Sequence, residues 1–397
     1  MRILIINIGW EQEPLIDSCF QISGAEVYAV HYNSLGYRHD EYKKVLVTDL
    51  LDLQKILDFA AEVQPEMVVS DQCDYSHVAQ AMVAEKYNLP GPRINTAQIS
   101  ANKWLQREKA KAGGVLIPDF RMTLSSEEGK TAAREIGYPV ILKPADNRGS
   151  FGVGVANSEA ELADAWFQAF ANSHSRMVMV EQFIKGYEIT VDGYIFDGVP
   201  RSLSLARKTH VSNTTRVAVD IKYPGDMPED VYNAAMRNNE KVASALGYSF
   251  GMIHSEYIIE DGSNDIYLVE SANRGGGVYT SEIIVPAVSG VDVLKALVND
   301  ASGNAPYAMP GQVKANQVIL KFFKFDPGHV LDILGLDQLD QDPQVLKYRL
   351  LIQKGHRISP ISNDGNRHGF IIATHESDVR KKAEQIFNQI TIQYAES

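Results

Sequence analysis

Residues 138–154 read Tyr-Pro-Val-Ile-Leu-Lys-Pro-Ala-Asp-Asn-Arg-Gly-Ser-Phe-Gly-Val-Gly, an apolar strand that ends at Lys143 and continues into a loop with three glycines. Glycine has no Cβ, so backbone N–H groups can approach a polyphosphate closely, and Ser150 can donate a further hydrogen bond. The charge of Lys143 needs a partner, for which phosphate is suitable. The loop is not a P-loop, because no Gly-Lys-Ser/Thr sequence opens a helix. The stretch therefore predicts either a phosphate-binding loop or a hairpin with a surface lysine.

A second apolar strand, at residues 178–188, breaks at a glycine in the sequence Val-Met-Val-Glu-Gln-Phe-Ile-Lys-Gly-Tyr-Glu. The free backbone N–H and C=O groups of a broken strand end can bind the edge of an adenine ring. Glu188 follows Glu181 by seven positions, and its carboxylate can accept hydrogen bonds from both ribose hydroxyls. The alternative is that both glutamates are solvated strand ends, and for each glutamate alone that alternative is favoured.

Two further glutamates, Glu256 and Glu270, each lie in an apolar strand, and the turn Asp261-Gly-Ser-Asn-Asp265 predicts a hairpin between these strands. Side chains on one face of paired strands can share a cation, and carboxylate oxygens suit Mg²⁺. Arg274 stands beside three glycines and can bind a carboxylate or a developing acyl phosphate. An edge strand with ordinary charges is the alternative, but it does not explain a glutamate, an arginine and three glycines within eight residues.

The composition of the 397-residue chain is that of an ordinary globular protein, with 45% hydrophobic and 22% charged residues. A formal net charge of −12 disfavours binding to a nucleic-acid backbone. Cys19 and Cys73 form no CxxC motif, which fits a reducing cytoplasm. The apolar start of the chain lacks a cleavage site, and no apolar run reaches the length of a membrane span. We therefore expect a cytoplasmic protein without nucleic-acid or membrane partners.

Short apolar strands alternate with helical stretches over residues 1–95, which is the pattern of a parallel βαβ sheet. A dinucleotide site is not expected there, because the first turn carries one glycine where the fingerprint needs three. Thr96 predicts the N-cap of a helix that runs to about Ala112. Antiparallel strands and helices follow, and glycines and prolines at residues 301–311 indicate a boundary.

Together and in this order, these stretches resemble the ATP-grasp superfamily, and the resemblance covers most of the chain. A match of six motifs in order is specific, whereas each motif alone is weak. The resemblance implies an α/β and α+β fold of four parts. These are an N-terminal parallel-sheet pre-grasp domain at residues 1–95, a small lobe with the lid at 96–180, a large lobe with the metal site at 181–305, and a small C-terminal α+β domain at 306–397.

The resemblance also assigns roles to individual residues. Those that it implies for ATP binding are Lys103 in Asn102-Lys103-Trp104, Lys143, the lid residues Ser150, Phe151 and Gly152 within 146–154, the adenine-hinge residues Glu181, Gln182, Phe183 and Ile184, and the ribose-binding Glu188. The metal ligands that it implies are Glu256, Glu270 and Asn273. The catalytic residues that it implies are Arg274, Lys143 and His254.

One position departs from the family pattern. The family often has asparagine two residues after the second metal glutamate, whereas this chain has Ala272 there and Asn273 next. On an ideal strand Asn273 would face away from Glu270. Asn273 is therefore expected as a metal ligand on condition that a bulge turns it inward.

Within the superfamily, the sequence most resembles carboxylate–amine ligases of the L-amino-acid ligase and carbamoyl-phosphate-synthase-like groups. His254 before Glu256 and the Glu-x-x-x-Arg-x-Gly-Gly run that starts at Glu270 carry this similarity. Residues 353–370 resemble the C-terminal domain of glycinamide-ribonucleotide synthetases and biotin carboxylases. The implied function is an ATP- and Mg²⁺-dependent ligase that activates a small-molecule carboxylate as an acyl phosphate and joins it to an amine. This chemistry needs no protein nucleophile. The resemblance also implies a homodimer.

Two other functions stay open at this point. One is a carboxylase in which bicarbonate is the phosphorylated carboxylate, although the chain shows no biotin carrier domain. The other is a non-catalytic nucleotide-binding protein, for which Ala272 is the support. His210 and His254 are candidates for the base that deprotonates the amine, with a structural role as the alternative for each.

Overall fold

The N-terminal sheet is parallel, as the alternating pattern predicts, and has the strand order β3-β2-β1-β4. The computed structural model describes residues 1–147, 149, 151–210, 217–305, 307, 309, 316–361 and 364–395. Helices cover both faces of the sheet, which explains why its first strand is a continuous buried apolar run. The elements are β1 Arg2–Ile6, α1 Glu13–Phe20, β2 Glu26–His31, β3 Lys44–Val47, α2 Leu53–Val63, β4 Met67–Val69 and α3 Asp74–Lys86.

Two helices, α4 Ile94–Ser100 and α5 Lys103–Ala112, occupy the stretch for which one helix was expected. The single-helix prediction is wrong because Asn102 adopts an extended conformation, with φ −136° and ψ 111°, between them. Its side-chain oxygen accepts hydrogen bonds from the backbone N–H groups of Trp104 at 3.0 Å and Leu105 at 3.1 Å. This N-cap makes Lys103 the first residue of α5.

The small lobe is a four-stranded antiparallel sheet of order β5-β8-β6-β7. Trp166 packs into its core, and two helices cover one face. The expected boundary between residues 180 and 181 falls inside β8, whose two partner strands both belong to this lobe. The elements are β5 Phe120–Thr123, α6 Ser126–Ile136, β6 Val140–Pro144, β7 Gly154–Ala156, α7 Glu159–Ala171 and β8 Val178–Gln182.

An eight-stranded sheet of order β13-β12-β9-β10-β11-β14-β18-β16 forms the large lobe and continues into residues beyond 306, with β14 at Gln317–Phe322, β16 at Val345–Leu350 and β18 at Gly369–His375. Three strands from the expected C-terminal domain therefore extend the sheet of the large lobe. The elements before that domain are β9 Gly186–Phe196, β10 Val199–His210, β11 Ala218–Tyr223, α8 Glu229–Leu246, β12 Gly251–Glu260, β13 Ile266–Ala272, α9 Val285–Ser289 and α10 Val293–Ala301.

The C-terminal strands and helices pack around Phe323, Ile371 and Ile386. The last helix is shorter than expected, because Asp378 caps its start by accepting a hydrogen bond from the N–H of Lys381 at 3.1 Å. Of the helices in the described ranges, none has the length and apolar character that crossing a membrane requires. The elements are β14 Gln317–Phe322, β15 Gly328–Leu334, α11 Leu336–Gln341, β16 Val345–Leu350, β17 Arg357–Ile358, β18 Gly369–His375, α12 Val379–Phe387 and β19 Thr391–Tyr394.

Candidate functional site

A cavity of about 900 Å³ lies where the small lobe, the large sheet and residues 351–370 meet. Its volume is within the range of small-molecule sites. It brings together most of the side chains that the sequence singled out, although they come from nine different elements or loops. The predicted residues that line it are Lys103, Lys143, Phe151, Glu181, Gln182, Phe183, Ile184, Glu188, His254, Glu256, Glu270 and Arg274.

Two predicted loop residues are not among this lining. Ser150 lies outside the described residues. Gly152 has φ +73°, and a Cβ there would approach Asn172 Cβ to 2.7 Å. Glycine is therefore required at residue 152 for the close packing of the loop against the end of α7. The described residues of the loop 146–154 that line the cavity are Asn147, Gly149, Phe151 and Val153.

Lys143 and Glu181 form a buried charge cluster with Arg107, which the sequence analysis missed. Lys143 Nζ lies 2.6 Å from Glu181 Oε2, and Arg107 Nε lies 2.7 Å from Glu181 Oε1. Burial alone would raise the pKa of Glu181, but the two cations lower it to about 2, whereas burial lowers the pKa of Lys143. The Glu181 carboxylate thus orients Lys143. Arg107 follows Lys103 by four helical positions, a spacing that could have placed both on one face.

The hinge after Glu181 is held mainly by strand pairing. The N–H of Gln182 donates to Asp119 O at 2.8 Å, and the N–H of Phe183 donates to Pro139 O at 3.3 Å. These two N–H groups are therefore engaged, so an adenine ring at this edge would bind other backbone groups of the segment. Ile184, with 3% exposure, supplies an apolar surface to the same part of the cavity.

Glu256 and Glu270 are direct cross-strand partners on β12 and β13, so their side chains emerge on one face. Each is paired with a lysine: Lys103 Nζ lies 3.0 Å from Glu270, and Lys208 Nζ lies 2.5 Å from Glu256. Lys208 also lies 2.7 Å from Glu188. Burial alone would raise the pKa of Glu256, but Lys208 lowers it well below its usual range. Both lysines hold carboxylates that were expected to bind metal or ribose.

Asn273 does not join these glutamates, which corrects the expectation of a third metal ligand. The bulge in this strand pair lies between Glu256 and Tyr257, so it does not turn Asn273 toward the cavity. The Asn273 amide instead donates to the backbone carbonyls of Phe250 at 2.8 Å and Met252 at 2.9 Å. Within the described part of the chain, no cluster of three or more His, Cys, Asp or Glu could hold a metal. Two paired carboxylates still fit Mg²⁺, which takes most of its ligands from water and phosphate.

His254 is held by Asp192, another residue that the sequence analysis missed. Its Nδ1 lies 2.7 Å from Asp192 Oδ1, and its Nε2 lies 3.8 Å from Glu256 Oε1. Burial alone would lower the pKa of His254, but the two carboxylates raise it to about 9. His254 is therefore protonated at neutral pH and is a cation rather than a base. An acid within the apolar strand β9, as Asp192 is, was the signal available in the sequence. His210 contacts Glu188 at 3.1 Å.

Arg274 receives its partner from the N-terminal domain. Its Nε and Nη2 donate to the two oxygens of Asp74 at 2.7 and 2.9 Å, and Nη1 donates to Gly275 O at 2.9 Å. Asp71 accepts a hydrogen bond from the N–H of Gly275 at 2.7 Å. Among the described residues, these bonds engage three of the five guanidinium N–H groups and leave one on each terminal nitrogen. The arginine is therefore held rigidly at the wall of the cavity.

Comparison with known proteins adds to this geometry. The sequence is 25% identical over 336 residues to the uncharacterized protein y4rH of Sinorhizobium fredii, which covers 81% of this chain and 66% of that protein. It is 24% identical over 216 residues to a D-alanine–D-alanine ligase of Geotalea uraniireducens, which covers 49% of this chain and 67% of that protein. The chain thus spans only part of the length of these relatives.

The fold is similar to the crystal structure of an L-amino acid ligase from Bacillus licheniformis. The TM-score is 0.85 at 19% identity, and the match covers 100% of this chain and 99% of that one. Residues 321–395 match the family described as L-amino acid ligase C-terminal domain 2. Residues 103–305, which carry the charged cavity, match the family described as carbamoyl-phosphate synthase L chain, ATP binding domain. The chain therefore belongs to this ATP-grasp family of ATP-binding domains.

Proposed function

We propose that this protein is an ATP-dependent ligase that activates a small-molecule carboxylate as an acyl phosphate and joins it to an amine. The observation that carries the proposal is one cavity in which Lys103, Lys143, the paired glutamates 256 and 270, and Arg274 converge. This chemistry needs cations that bind a polyphosphate, oxygens that bind a metal ion and a guanidinium that binds a carboxylate. The family membership supports the use of ATP.

In the proposed mechanism, Lys103 and Lys143 bind the phosphates of ATP, and Glu256 and Glu270 would hold Mg²⁺. When bound, Mg²⁺ would neutralise charge on the phosphates. In this structure Lys103 and Lys208 form ion pairs with Glu270 and Glu256. Binding of ATP with Mg²⁺ would therefore require these side chains to exchange their ionic partners. Lys103 and Lys208 would then be available to bind phosphate oxygens.

Arg274 holds the substrate carboxylate with its remaining N–H groups. A carboxylate oxygen attacks the γ-phosphorus, the bond to the β-phosphate oxygen breaks, and ADP leaves. The amine then attacks the acyl carbon, the acyl–phosphate bond breaks, and phosphate and one proton are released with the amide. Positioning and charge neutralisation supply the rate enhancement. His254 contributes positive charge in this scheme, since its protonated form does not accept the proton.

A screen of carboxylates tests the proposal. Amino acids and other carboxylates are incubated with Mg-ATP, with and without an amine, and release of ADP and phosphate is measured. Hydroxylamine traps an acyl phosphate as a hydroxamate. ADP release that requires a carboxylate, together with hydroxamate formation, supports the ligase. ADP release that requires bicarbonate would instead indicate the carboxylase, and tight ATP binding without turnover would indicate a non-catalytic protein.

Replacing Lys143 by alanine is expected to weaken the binding of an ATP analogue by about 10- to 150-fold, because one charge-assisted hydrogen bond of about 1.5–3 kcal/mol is lost. The Arg107–Glu181 pair stays intact in this variant, so the protein should remain folded. Calorimetry measures the affinity, and Lys185→Ala, an exposed lysine four residues beyond Glu181, is the control. Unchanged affinity of the Lys143 variant would show that the nucleotide lies elsewhere.

Replacing Arg274 by lysine is expected to raise the KM for the carboxylate and to lower kcat, while ATP binding stays nearly intact. A lysine cannot replace the planar guanidinium that contacts Asp74 and a substrate together. The loss of one charge-assisted bond, about 1.5–3 kcal/mol, corresponds to roughly 10- to 150-fold in kcat/KM. Steady-state kinetics with each substrate in turn provides the measurement.

A melting curve separates this role from a purely structural one. Arg274 already binds Asp74 across the domain interface, so a structural role predicts that melting temperature and ATP affinity fall together. If melting temperature and ATP affinity fall in parallel, and the KM for the carboxylate shows no selective change, the assignment of Arg274 to substrate binding is contradicted.

A further inference from the structure

Lys208 on β10 is a residue of the main cavity that the sequence analysis did not single out. Its Nζ lies 2.7 Å from Glu188 Oε1 on β9 and 2.5 Å from Glu256 Oε1 on β12. These carboxylates come from neighbouring strands and converge on one ammonium group. Lys208 therefore lies where the predicted ribose-binding glutamate and the first predicted metal ligand meet.

Burial makes both ion pairs of Lys208 difficult to replace. The side chains of Lys208 and Glu188 have only 10% and 11% of their surface exposed, so water screens their charges weakly. Among the described residues, Glu188 and Glu256 are the anions that Lys208 contacts. A metal ion that took Glu256 from Lys208 would leave a buried ammonium group short of one partner, which is costly. Any metal ion at Glu256 must therefore compete with Lys208.

Further cations beside the two predicted metal ligands strengthen this competition. Lys103 Nζ lies 3.0 Å from Glu270 Oε2 and also donates to Asn147 O at 2.6 Å. The protonated ring of His254 places its Nε2 3.8 Å from Glu256 Oε1. A divalent cation that arrives alone would therefore meet two carboxylates whose charges are already neutralised, beside the positive charges of these side chains.

A nucleotide removes this obstacle, because its phosphates offer the lysines new partners. Ammonium groups form charge-assisted hydrogen bonds with phosphate oxygens as they do with carboxylates. A lysine that moves from a glutamate to a phosphate keeps a partner, whereas a lysine that a metal ion displaces by itself does not. Binding of the nucleotide thus frees the glutamates, and by thermodynamic linkage binding of the metal ion favours the nucleotide to the same extent.

We propose that Lys208, together with Lys103, excludes a divalent metal ion from Glu256 and Glu270 until a nucleotide is bound. Lys208 is then a positioning residue that couples the two binding events. The proposal rests on the metal site of the proposed function, but it requires no turnover. It can therefore be tested without a carboxylate or an amine substrate.

Equilibrium dialysis of the full chain against Mn²⁺ tests the proposal, because carboxylate oxygens also suit Mn²⁺. We expect the wild type to retain Mn²⁺ in the presence of a non-hydrolysable ATP analogue and to bind Mn²⁺ alone weakly. Lys208→Met removes the competing charge and should bind Mn²⁺ alone about 10- to 150-fold more tightly, the equivalent of one charge-assisted hydrogen bond. Lys208→Arg keeps the charge and should bind Mn²⁺ alone as weakly as the wild type.

Lys222→Met is the matched control. Lys222 lies on the neighbouring strand β11, has a similarly buried side chain with 13% exposure and forms an ion pair with Asp226. It is not among the described residues that line the cavity, so the variant removes the same charge elsewhere and should bind Mn²⁺ like the wild type. Circular dichroism establishes that each variant is folded. If Lys208→Met does not fold, Lys103→Met provides the same test at Glu270.

Equal Mn²⁺ affinities of the wild type and Lys208→Met without nucleotide would overturn the proposal. An equal gain of affinity in Lys208→Arg or Lys222→Met would overturn it as well. If no variant retains Mn²⁺ with or without the analogue, both the proposal and the metal site of the proposed function are wrong. The hydroxamate assay reports on the ligase separately, so the expected Mn²⁺ pattern without hydroxamate formation would uphold the coupling and contradict the ligase.

Discussion

Replacement of Glu270 by glutamine is expected to lower Mg²⁺-dependent ADP formation by about 10²- to 10³-fold, the size of effect seen when a preorganised electrostatic group is removed. Glutamine keeps the shape of the side chain, so the strand pairing with Glu256 should persist. Two effects act together: the proposed metal site loses a charged ligand, and Lys103 loses the carboxylate that lies 3.0 Å away. ADP release is measured over a range of Mg²⁺ concentrations.

The same hairpin supplies a matched control for this variant. Glu260 lies on β12 near the turn, where it accepts a hydrogen bond from Ser263 at 2.7 Å. Glu260→Gln makes the same chemical change outside the cavity lining and should leave ADP formation near the wild-type rate. Near-normal turnover of the Glu270 variant at low Mg²⁺ would refute the assignment of Glu270 to the metal.

Replacement of Glu181 by alanine is expected to lower the free energy of unfolding by about 3–5 kcal/mol, the cost of removing one partner from a buried ion pair. The change leaves Arg107 and Lys143 as like charges in the interior, where Arg107 has no exposed surface. Urea denaturation measures the loss. Lys143→Ala is the informative comparison, because it leaves the Arg107–Glu181 pair and should cost less stability. Equal costs of the two variants would contradict this account.

The contribution of Glu181 to the free energy of unfolding should also depend on pH, and it should fall as the pH falls. Its folded pKa of about 2 lies below the value of about 4.3 for an unfolded chain. The stabilisation is therefore fully present above about pH 4.3 and is lost as the pH falls toward 2. The stability difference between the wild type and Glu181→Gln should shrink over this window. A difference that stays constant from pH 7 to pH 3 would contradict the charged pairing.

The sequence motifs predicted the family and twelve of the residues that line the cavity because their information is local. A glycine-rich loop after an apolar strand, or a glutamate at the end of such a strand, is encoded within about ten residues, since strand alternation and glycine conformations depend on near neighbours. The hairpin of β12 and β13 is one example, because its turn residues could be read directly and its register brings Glu256 and Glu270 together.

Asn273 shows where a local rule and a family resemblance disagree. Strand alternation places it away from Glu270, and the expectation of a metal ligand required an inward bulge. The structure has its bulge before Glu270, where Val269 is the extra residue of β13, so the bulge does not change the alternation from Glu270 to Asn273. The simple alternation rule was therefore the better guide at this position. The helix break at Asn102 is a similar case, since its capping side chain was a local signal that the predicted single helix overlooked.

The partners of the charged residues depend on tertiary structure. Arg274 and Asp74 are separated by 200 positions, Lys208 and Glu256 by 48, and nothing near either residue in the sequence specifies its partner. The extension of the large-lobe sheet by strands beyond residue 306 is likewise a pairing between distant segments.

The sequence by itself thus determined the strand and loop types, the two-lobed family and the chemical identity of the site residues, because local backbone preferences and side-chain chemistry act over a few residues. The tertiary structure alone decided the charge state and orientation of those residues. Glu181 is held between two cations, His254 is protonated by its contact with Asp192, and Arg274 is fixed from another domain. Burial weakens solvent screening, so each of these properties depends on which distant group folding brings within about 3 Å.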